Sequence, residues 1–141
     1  MFNLGECVIR LDHTAIGVAN IEDALPLYRD LLGGREIGRG MAPGQGFQTV
    51  QLLYPNGNKI ELIAPLGEDG FMRKFLRERG PGVHHLTFIV KNIEQCVLHL
   101  KERGYRVLGE DYSDPRWKEA FISPLSANGT VVQLAESDQF A

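Results

Sequence analysis

The sequence has few cysteines, no long apolar run and little net charge, and each of these shortages excludes a class of protein. Its 141 residues include only two cysteines, Cys7 and Cys96, whose spacing fits neither a paired-cysteine metal site nor a redox motif. No apolar run reaches the roughly 18 residues that a membrane-spanning helix needs. The formal net charge of −3 gives no general attraction to nucleic acid or to an anionic membrane.

The N-terminal residues and the length favour one cytoplasmic domain. The opening stretch, MFNLGECVIRL, lacks the charged and then apolar pattern of a signal peptide, and free cysteines are typical of a reducing compartment. Hydrophobic residues make up 43% of the chain, which is enough for a core. We therefore predict a single domain over 1–141 in the cytoplasm, with no nucleic-acid or membrane partner.

The second half of the sequence repeats the first half at an offset of 72 positions. His13 aligns with His85, and the Asn-Ile-Glu at 20–22 aligns with the Asn-Ile-Glu at 92–94. The alignment needs no gap across this span. A repeat of this length is too long for a solenoid unit, so it indicates a duplicated half-domain.

Both halves have the same order of predicted elements. Alternating apolar residues predict a strand, and an Asn N-cap then starts a helix that ends at glycine. Three more strands follow, with Asn-Gly, a hairpin signal, before the last one. The predicted strands are 11–18, 35–39, 47–54, 59–64, 83–90, 105–109, 117–123 and 130–135, and the helices are 21–32 and 93–103.

This order predicts an α+β fold of two tandem βαβββ modules that form a curved, open mixed sheet with the helices outside. Module 1 covers about 8–66 and module 2 covers about 82–137. A bridging helix at about 68–79 joins them. Pro26 lies inside the first helix, so we expect that helix to bend or to end early.

Strand alternation separates the two adjacent histidines at 84–85. His84 shares a face with Leu86 and Phe88, and we expect this apolar face to pack against a helix. His85 then points to the opposite, open face, and His13 is its equivalent in the first half. For His84 we predict a packing role.

Glu61 and Gln133 follow these two histidines at the same spacing of 48 positions. Each alternates with apolar residues of a last strand, so each should also face the open side. If the two halves pair by a pseudo-twofold axis, two imidazoles, one carboxylate and one amide oxygen converge. We therefore predict one divalent ion, bound by His13, Glu61, His85 and Gln133; zinc, cobalt, nickel and manganese all suit these ligands.

These residues resemble the vicinal oxygen chelate superfamily, which includes glyoxalases, extradiol dioxygenases and antibiotic-resistance binders. The likeness covers nearly the whole chain and is most specific at FLRERGPGVHHLTFIVKNI, with LDHTAIGV and IELIAPLGE as further matches. Within the superfamily the sequence looks most like the methylmalonyl-CoA epimerases. The resemblance implies an isomerase that removes the proton next to a carbonyl or thioester of a small molecule such as an acyl-CoA. We also predict a homodimer, because small half-domains with open faces often add a second interface.

In such a reaction a divalent metal stabilises the negative charge of the enolate oxygen. Glu61 is the only carboxylate among the four predicted ligands, so we predict that Glu61, and no group of the second half, moves the substrate proton. The predicted substrate contacts are Thr87, Lys59, Gln48, Arg116 and Trp117.

Three departures from the family pattern leave the reaction open. Gln133 stands where the epimerases typically have a proton-carrying Glu, the strand at 47–53 lacks the second carboxylate of the family, and SPLS at 123–126 lacks its His and Lys. One base suffices for a glyoxalase-type isomerase of the lactoylglutathione lyase kind, whereas the likeness favours epimerisation. A non-catalytic small-molecule binding or resistance module is the alternative outside the enzymes. A dioxygenase fits less well because Gln133 would occupy one coordination position.

Overall fold

The computed structural model describes residues 4–138, which fall into two compact units. One unit consists of 13–84, and the other consists of 4–12 together with 85–138. Most residues of each predicted module lie in one unit, but residues 8–12 of module 1 and 82–84 of module 2 fall in the other unit. The α+β class and the duplicated βαβββ order are therefore confirmed.

Within residues 4–138 the strands are β1 (Val8–Gly17), β2 (Arg35–Ala42), β3 (Phe47–Leu53), β4 (Lys59–Pro65), β5 (Gly82–Val90), β6 (Val107–Asp111), β7 (Lys118–Ile122) and β8 (Val131–Glu136). The helices are α1 (Ile21–Leu25), α2 (Phe71–Arg79) and α3 (Ile93–Glu102). Short 3-10 turns occupy Leu4–Glu6, Pro43–Gln45 and Pro55–Gly57. No helix in this described range is long and apolar enough to cross a membrane.

The two modules repeat the same parallel strand register. In the unit 13–84 the strands lie in the order β2-β3-β4-β1, and β1 runs parallel to β4 with Ala15 opposite Glu61. In the other unit the order is β5-β8-β7-β6, and β5 runs parallel to β8 with Thr87 opposite Gln133. The two pairs are 72 positions apart, so the sequence repeat is a repeat of hydrogen-bond register.

The antiparallel pairs do not follow the ungapped alignment. Gln51 lies opposite Glu61 and Phe121 lies opposite Gln133, so the partner precedes the last strand by 10 positions in one module and by 12 in the other. The connection between β7 and β8 therefore contains two extra residues. The prediction that no gap is needed is wrong for β7.

Helices α1 and α3 each cover one face of the sheet in their own unit. In the first unit the buried cluster joins helix and sheet residues: Ile21, Leu25, Val50, Leu52, Leu62 and Ala64. In the second unit the equivalent cluster is Cys7, Val90, Ile93, Cys96, Val97, Leu100, Ala120 and Leu134. Each large apolar side chain buried in this way contributes about 1.5–3 kcal/mol, so these helices fix which sheet face points away from them. In the first unit α2 packs on part of that other face, where Met72 joins Ala15 and Ile63 in a buried cluster.

Pro26 changes the geometry of the first helix, as the sequence predicts. Helix α1 ends at Leu25, and Pro26–Leu31 continues as a π-helical segment in which Leu32 N donates to Leu27 O at 2.9 Å. Proline has no N–H, and its ring crowds the carbonyl four residues earlier. The wider turn accommodates the ring without ending the helical path.

The start of α3 differs from the prediction that Asn92 caps it. Asn92 adopts a left-handed conformation (φ 56°, ψ 54°) and its side chain makes no cap. The carboxylate of Glu136 on β8 accepts the backbone N–H groups of Asn92 and Ile93 instead, both at 3.0 Å. A carboxylate offers two acceptor oxygens and a negative charge, which suits the positive end of a helix better than one amide. The cap at Asn20 is present, with Asp23 N donating to its side chain at 3.1 Å.

His84 packs against the bridging helix α2. Its ring centroid lies 4.8 Å from that of Phe75 and 5.6 Å from that of Phe71. Burial, with a smaller contribution from Arg79, lowers the pKa of His84 below its usual value. These contacts agree with the predicted packing role and leave His85 as the histidine of interest.

Replacing Glu136 with Ala removes both acceptors from the first turn of α3. We expect the free energy of unfolding to fall by about 1–2 kcal/mol, the usual effect of losing a helix cap. Urea denaturation followed by circular dichroism measures this change. The control is Glu102→Ala at the exposed end of α3, which should change stability by less than about 0.5 kcal/mol. Equal stability of Glu136→Ala and the parent protein would contradict the capping role.

Candidate functional site

His13 and Glu61 lie side by side on the sheet face of the first unit that points away from α1. His13 precedes Ala15 by two residues on β1, so it shares the face on which Ala15 pairs with Glu61. His13 Nε2 is 3.7 Å from Glu61 Oε2, and the two side chains are only 3% and 13% exposed. Two ligands of one zinc ion lie no more than about 4.3 Å apart, so this imidazole and carboxylate fit a shared ion.

Glu61 also contacts Gln51, a residue that the sequence reasoning missed. Gln51 lies directly opposite Glu61 across β3 and β4, and its Nε2 donates to Glu61 Oε2 at 3.1 Å. Gln48, the predicted substrate contact on β3, shares the helix-facing side with the buried residues Val50 and Leu52. Alternation counted from Val50 and Leu52 places Gln51 on the same face as Glu61, but it places Thr49 there as well and does not show which residue lies opposite Glu61.

His85 and Thr87 occupy the corresponding face of β5 in the second unit. Both side chains are buried, and Thr87 is fully inaccessible. Thr87 Oγ1 donates to Gln133 Oε1 at 2.7 Å. Thr87, predicted as a substrate contact, therefore holds the amide of a predicted metal ligand.

Glu119 on β7 holds the same amide from its other end, and the sequence reasoning missed it as well. Gln133 Nε2 donates to Glu119 Oε1 at 3.1 Å, and Trp117 Nε1 donates to the same oxygen at 2.9 Å. An ionised carboxylate can only accept, so the amide turns its NH₂ group to Glu119 and its oxygen to Thr87. That oxygen retains a second lone pair that can bind an ion.

Each module thus contains one pair of an amide and a carboxylate, with the two groups exchanged between strands. In the first module the amide is Gln51 on β3 and the carboxylate is Glu61 on β4. In the second module the carboxylate is Glu119 on β7 and the amide is Gln133 on β8. The donor–acceptor distance is 3.1 Å in both pairs. Both modules therefore contain an amide-to-carboxylate hydrogen bond, but the donor is on the third strand of the first module and on the last strand of the second.

Two predicted substrate contacts are cationic. Lys59 begins β4, is partly buried and shares the Glu61 face by alternation. Arg116 is exposed, and its guanidinium donates to the Asp114 carboxylate at 3.0 and 3.1 Å. Trp117, the residue after Arg116, is half-exposed and contacts Glu119 as described above.

Comparison with known proteins finds one family and several named relatives. The family model described as "Glyoxalase/Bleomycin resistance protein/Dioxygenase superfamily" matches residues 12–121. The chain is 38% identical over 133 residues to the ethylmalonyl-CoA/methylmalonyl-CoA epimerase of Cereibacter sphaeroides, covering 90% of this chain and 97% of that protein. It is 31% identical over 140 residues to the mitochondrial methylmalonyl-CoA epimerase of Bos taurus, covering 97% of this chain and 77% of that one.

A solved structure gives the same result for the fold. The crystal structure of methylmalonyl-CoA epimerase from Mycobacterium tuberculosis matches with a TM-score of 0.83 and 30% sequence identity, covering 93% of this chain and 89% of that one. The resemblance predicted from the sequence motifs is therefore confirmed.

Removing either predicted histidine ligand should lower the metal content of the purified protein. We expect the parent protein to carry about one divalent ion per chain and His13→Ala and His85→Ala to carry far less, because each loses one of four ligands. Elemental analysis by mass spectrometry measures the content. His99→Ala, a histidine substitution on α3, is the matched control and should keep the parent value. Equal metal in all four proteins would contradict the ligand assignment.

Proposed function

Because the chain belongs to the glyoxalase/bleomycin resistance protein/dioxygenase superfamily, we propose that it is a divalent-metal-dependent epimerase of methylmalonyl-CoA or of a closely related 2-substituted acyl-CoA. The named relatives indicate an epimerase, which is an isomerase, as the sequence predicts. The observation that carries the proposal is the 3.7 Å contact of His13 with Glu61, two largely buried side chains on the sheet face that points away from α1. The same register recurs at His85 and Gln133.

The proposed ligands of the ion are His13, Glu61, His85 and Gln133. Two imidazole nitrogens and one carboxylate oxygen form a donor set that divalent ions accept, and the amide oxygen of Gln133 adds a fourth donor. When bound, the ion supplies a positive charge that stabilises a developing enolate oxygen. One carboxylate among the ligands leaves the site with a net charge near +1, which favours an anionic intermediate.

Glu61 is the group that we assign to remove the substrate proton. Its contacts with His13 and Gln51 both use Oε2. Oε1 is therefore the oxygen that we assign to receive the proton, while Oε2 keeps its place beside the imidazole. The hydrogen bond from Gln51 fixes the plane of the carboxylate, so Glu61 needs little rearrangement to act.

A glyoxalase-type isomerisation is the second candidate, because one carboxylate can move a proton between neighbouring carbons. The relatives favour epimerisation over this reaction.

A homodimer and a cytoplasmic location stay predictions. A compact monomer in solution scattering would contradict the dimer and would leave the fold unaffected.

Replacing Glu61 with Gln tests the proton-transfer role. We expect the interconversion of the two epimers of methylmalonyl-CoA to slow by at least about 100-fold, because an amide cannot accept the proton. Nuclear magnetic resonance in deuterium oxide follows both interconversion and exchange of the α-proton. Gln133→Glu should keep or raise the parent rate, since it adds a carboxylate.

The matched control for Glu61→Gln is Glu68→Gln, at an exposed acid beyond β4. It should react at the parent rate. If Glu61→Gln interconverts the epimers as fast as the parent, the base lies elsewhere in the chain. If the parent exchanges no proton across a panel of acyl-CoA and 2-oxo compounds, the non-catalytic binding module is the better description.

A further inference from the structure

Two cationic residues lie on the same sheet face as Glu61 and belong to the same unit. Lys59 precedes Glu61 by two residues on β4, so both side chains point away from α1. Leu53 pairs with Lys59 across β3 and β4, and it pairs with Arg35 across β2 and β3. Directly opposite residues of antiparallel strands share a face, so Arg35, Leu53 and Lys59 form one row across three strands.

The next row of this face carries Glu61. Gln51 pairs with Glu61 on one side and with Gly38 on the other, and glycine adds no side chain to the row. Successive rows lie about 7 Å apart along the strands, which the flexible four-carbon stem of a lysine can span. An anionic group held by Lys59 can therefore lie next to a carbon whose proton Glu61 takes.

Helix α2 covers this face on the other side of Glu61. Ile63 lies two residues beyond Glu61 on β4, and it is buried in a cluster with Ala15 and with Met72 of α2. A substrate group beside Glu61 therefore has apolar, covered neighbours in the direction of Ile63. The cationic row of Lys59 lies in the opposite direction, so the two ends of this face differ in chemistry.

The acidic residue next to Arg35 on β2 belongs to the opposite face. Glu36 pairs with Leu52, which is buried under α1, and Arg39 contacts both Glu36 and Glu22 on that side. Among the strand residues of 13–84 that face away from α1, two cations thus accompany a single carboxylate, that of the proposed base. Such an excess of positive charge favours an anionic ligand.

We propose that Lys59, assisted by Arg35, binds a carboxylate carried by the carbon from which Glu61 removes the proton. The inference rests on the proposed epimerase function and names its substrate class as 2-carboxyacyl thioesters, as opposed to 2-substituted acyl thioesters that lack the acid. Lys59 and Arg35 determine specificity in this proposal and move no proton.

The spacing of Lys59 and Glu61 favours this carboxylate over a phosphate of coenzyme A. The carboxylate is bonded directly to the reacting carbon, whereas the phosphates lie beyond the whole pantetheine arm. Two residues on one strand face are about 7 Å apart, which suits the nearer group. Removal of the proton adds negative charge beside the carboxylate, so a cation there also reduces the repulsion between the two charges.

The affinities for methylmalonyl-CoA and propionyl-CoA test the assignment, because the two ligands differ only in this carboxylate. Isothermal titration calorimetry measures the dissociation constant of each. We expect Lys59→Met to weaken binding of methylmalonyl-CoA at least about tenfold and to leave propionyl-CoA within about twofold, since Met keeps an unbranched stem and loses the charge. Arg35→Met should act in the same direction with a smaller effect, because Arg35 is exposed.

Two further variants control this result. Lys59→Arg keeps a cation and should keep most of the preference for methylmalonyl-CoA. Arg39→Met removes a cation from the same strand as Arg35 but from the face toward α1, where Arg39 donates to Glu22 at 2.8 Å. It should bind both ligands as the parent does. If Lys59→Met does not fold, the exposed Arg35 gives the test, because its substitution leaves the core intact.

Three outcomes would overturn the inference. If Lys59→Met weakens both ligands equally, the cation binds a phosphate of coenzyme A. If it weakens neither, Lys59 contacts no part of the ligand. If the parent binds both ligands equally, the carboxylate is not recognised at all. In each case, interconversion of the methylmalonyl-CoA epimers by the parent would leave the proposed function standing, whereas a parent that interconverts neither epimer contradicts that function itself.

Discussion

The parallel pairing of the first and last strands of each module is the constraint on which the site depends. Side chains alternate along a strand, so a slip of one residue between β1 and β4 would turn Glu61 toward the helix and away from His13. The apolar residues beside Glu61 prevent this slip, because Leu62 is fully buried under α1. The packing of the helix thus determines which polar groups reach the opposite sheet face.

Buried polar side chains on that face are stable because neighbouring strands supply their partners. Gln133 is only 8% exposed, and its amide would destabilise the fold without its hydrogen bonds to Thr87 and Glu119. A hydrogen bond to a charged group contributes about 1.5–3 kcal/mol, and an unsatisfied buried group costs about as much. The same contacts that stabilise the second module therefore also orient its ligand oxygen.

The sequence was sufficient to predict the features that depend on periodicity. The repeat and the strand alternation placed His13 beside Glu61 on one face and assigned His84 to packing. Contacts across antiparallel strands were missed, because they depend on the length of the connection. Two extra residues between β7 and β8 shift the register, so the ungapped alignment concealed the fact that Glu119 reaches Gln133.

The Asn92 prediction was wrong for a related reason. The partner that caps α3 is Glu136, 44 positions away in the sequence, and local pattern contains no information about it. Tertiary contacts of this kind replace local caps wherever a distant carboxylate reaches the helix start. Gln51 and Glu119 likewise contact their partners across antiparallel strands, and such contacts are seen only in the folded chain.

The central claim is that the two modules hold one ion with one set of ligands. Anomalous diffraction at the cobalt absorption edge, from crystals of the cobalt-loaded protein, tests it most directly. The account predicts a single cobalt ion per chain, bound by His13, Glu61, His85 and Gln133. A separate ion in each module, or an ion bound only by other residues, would contradict it.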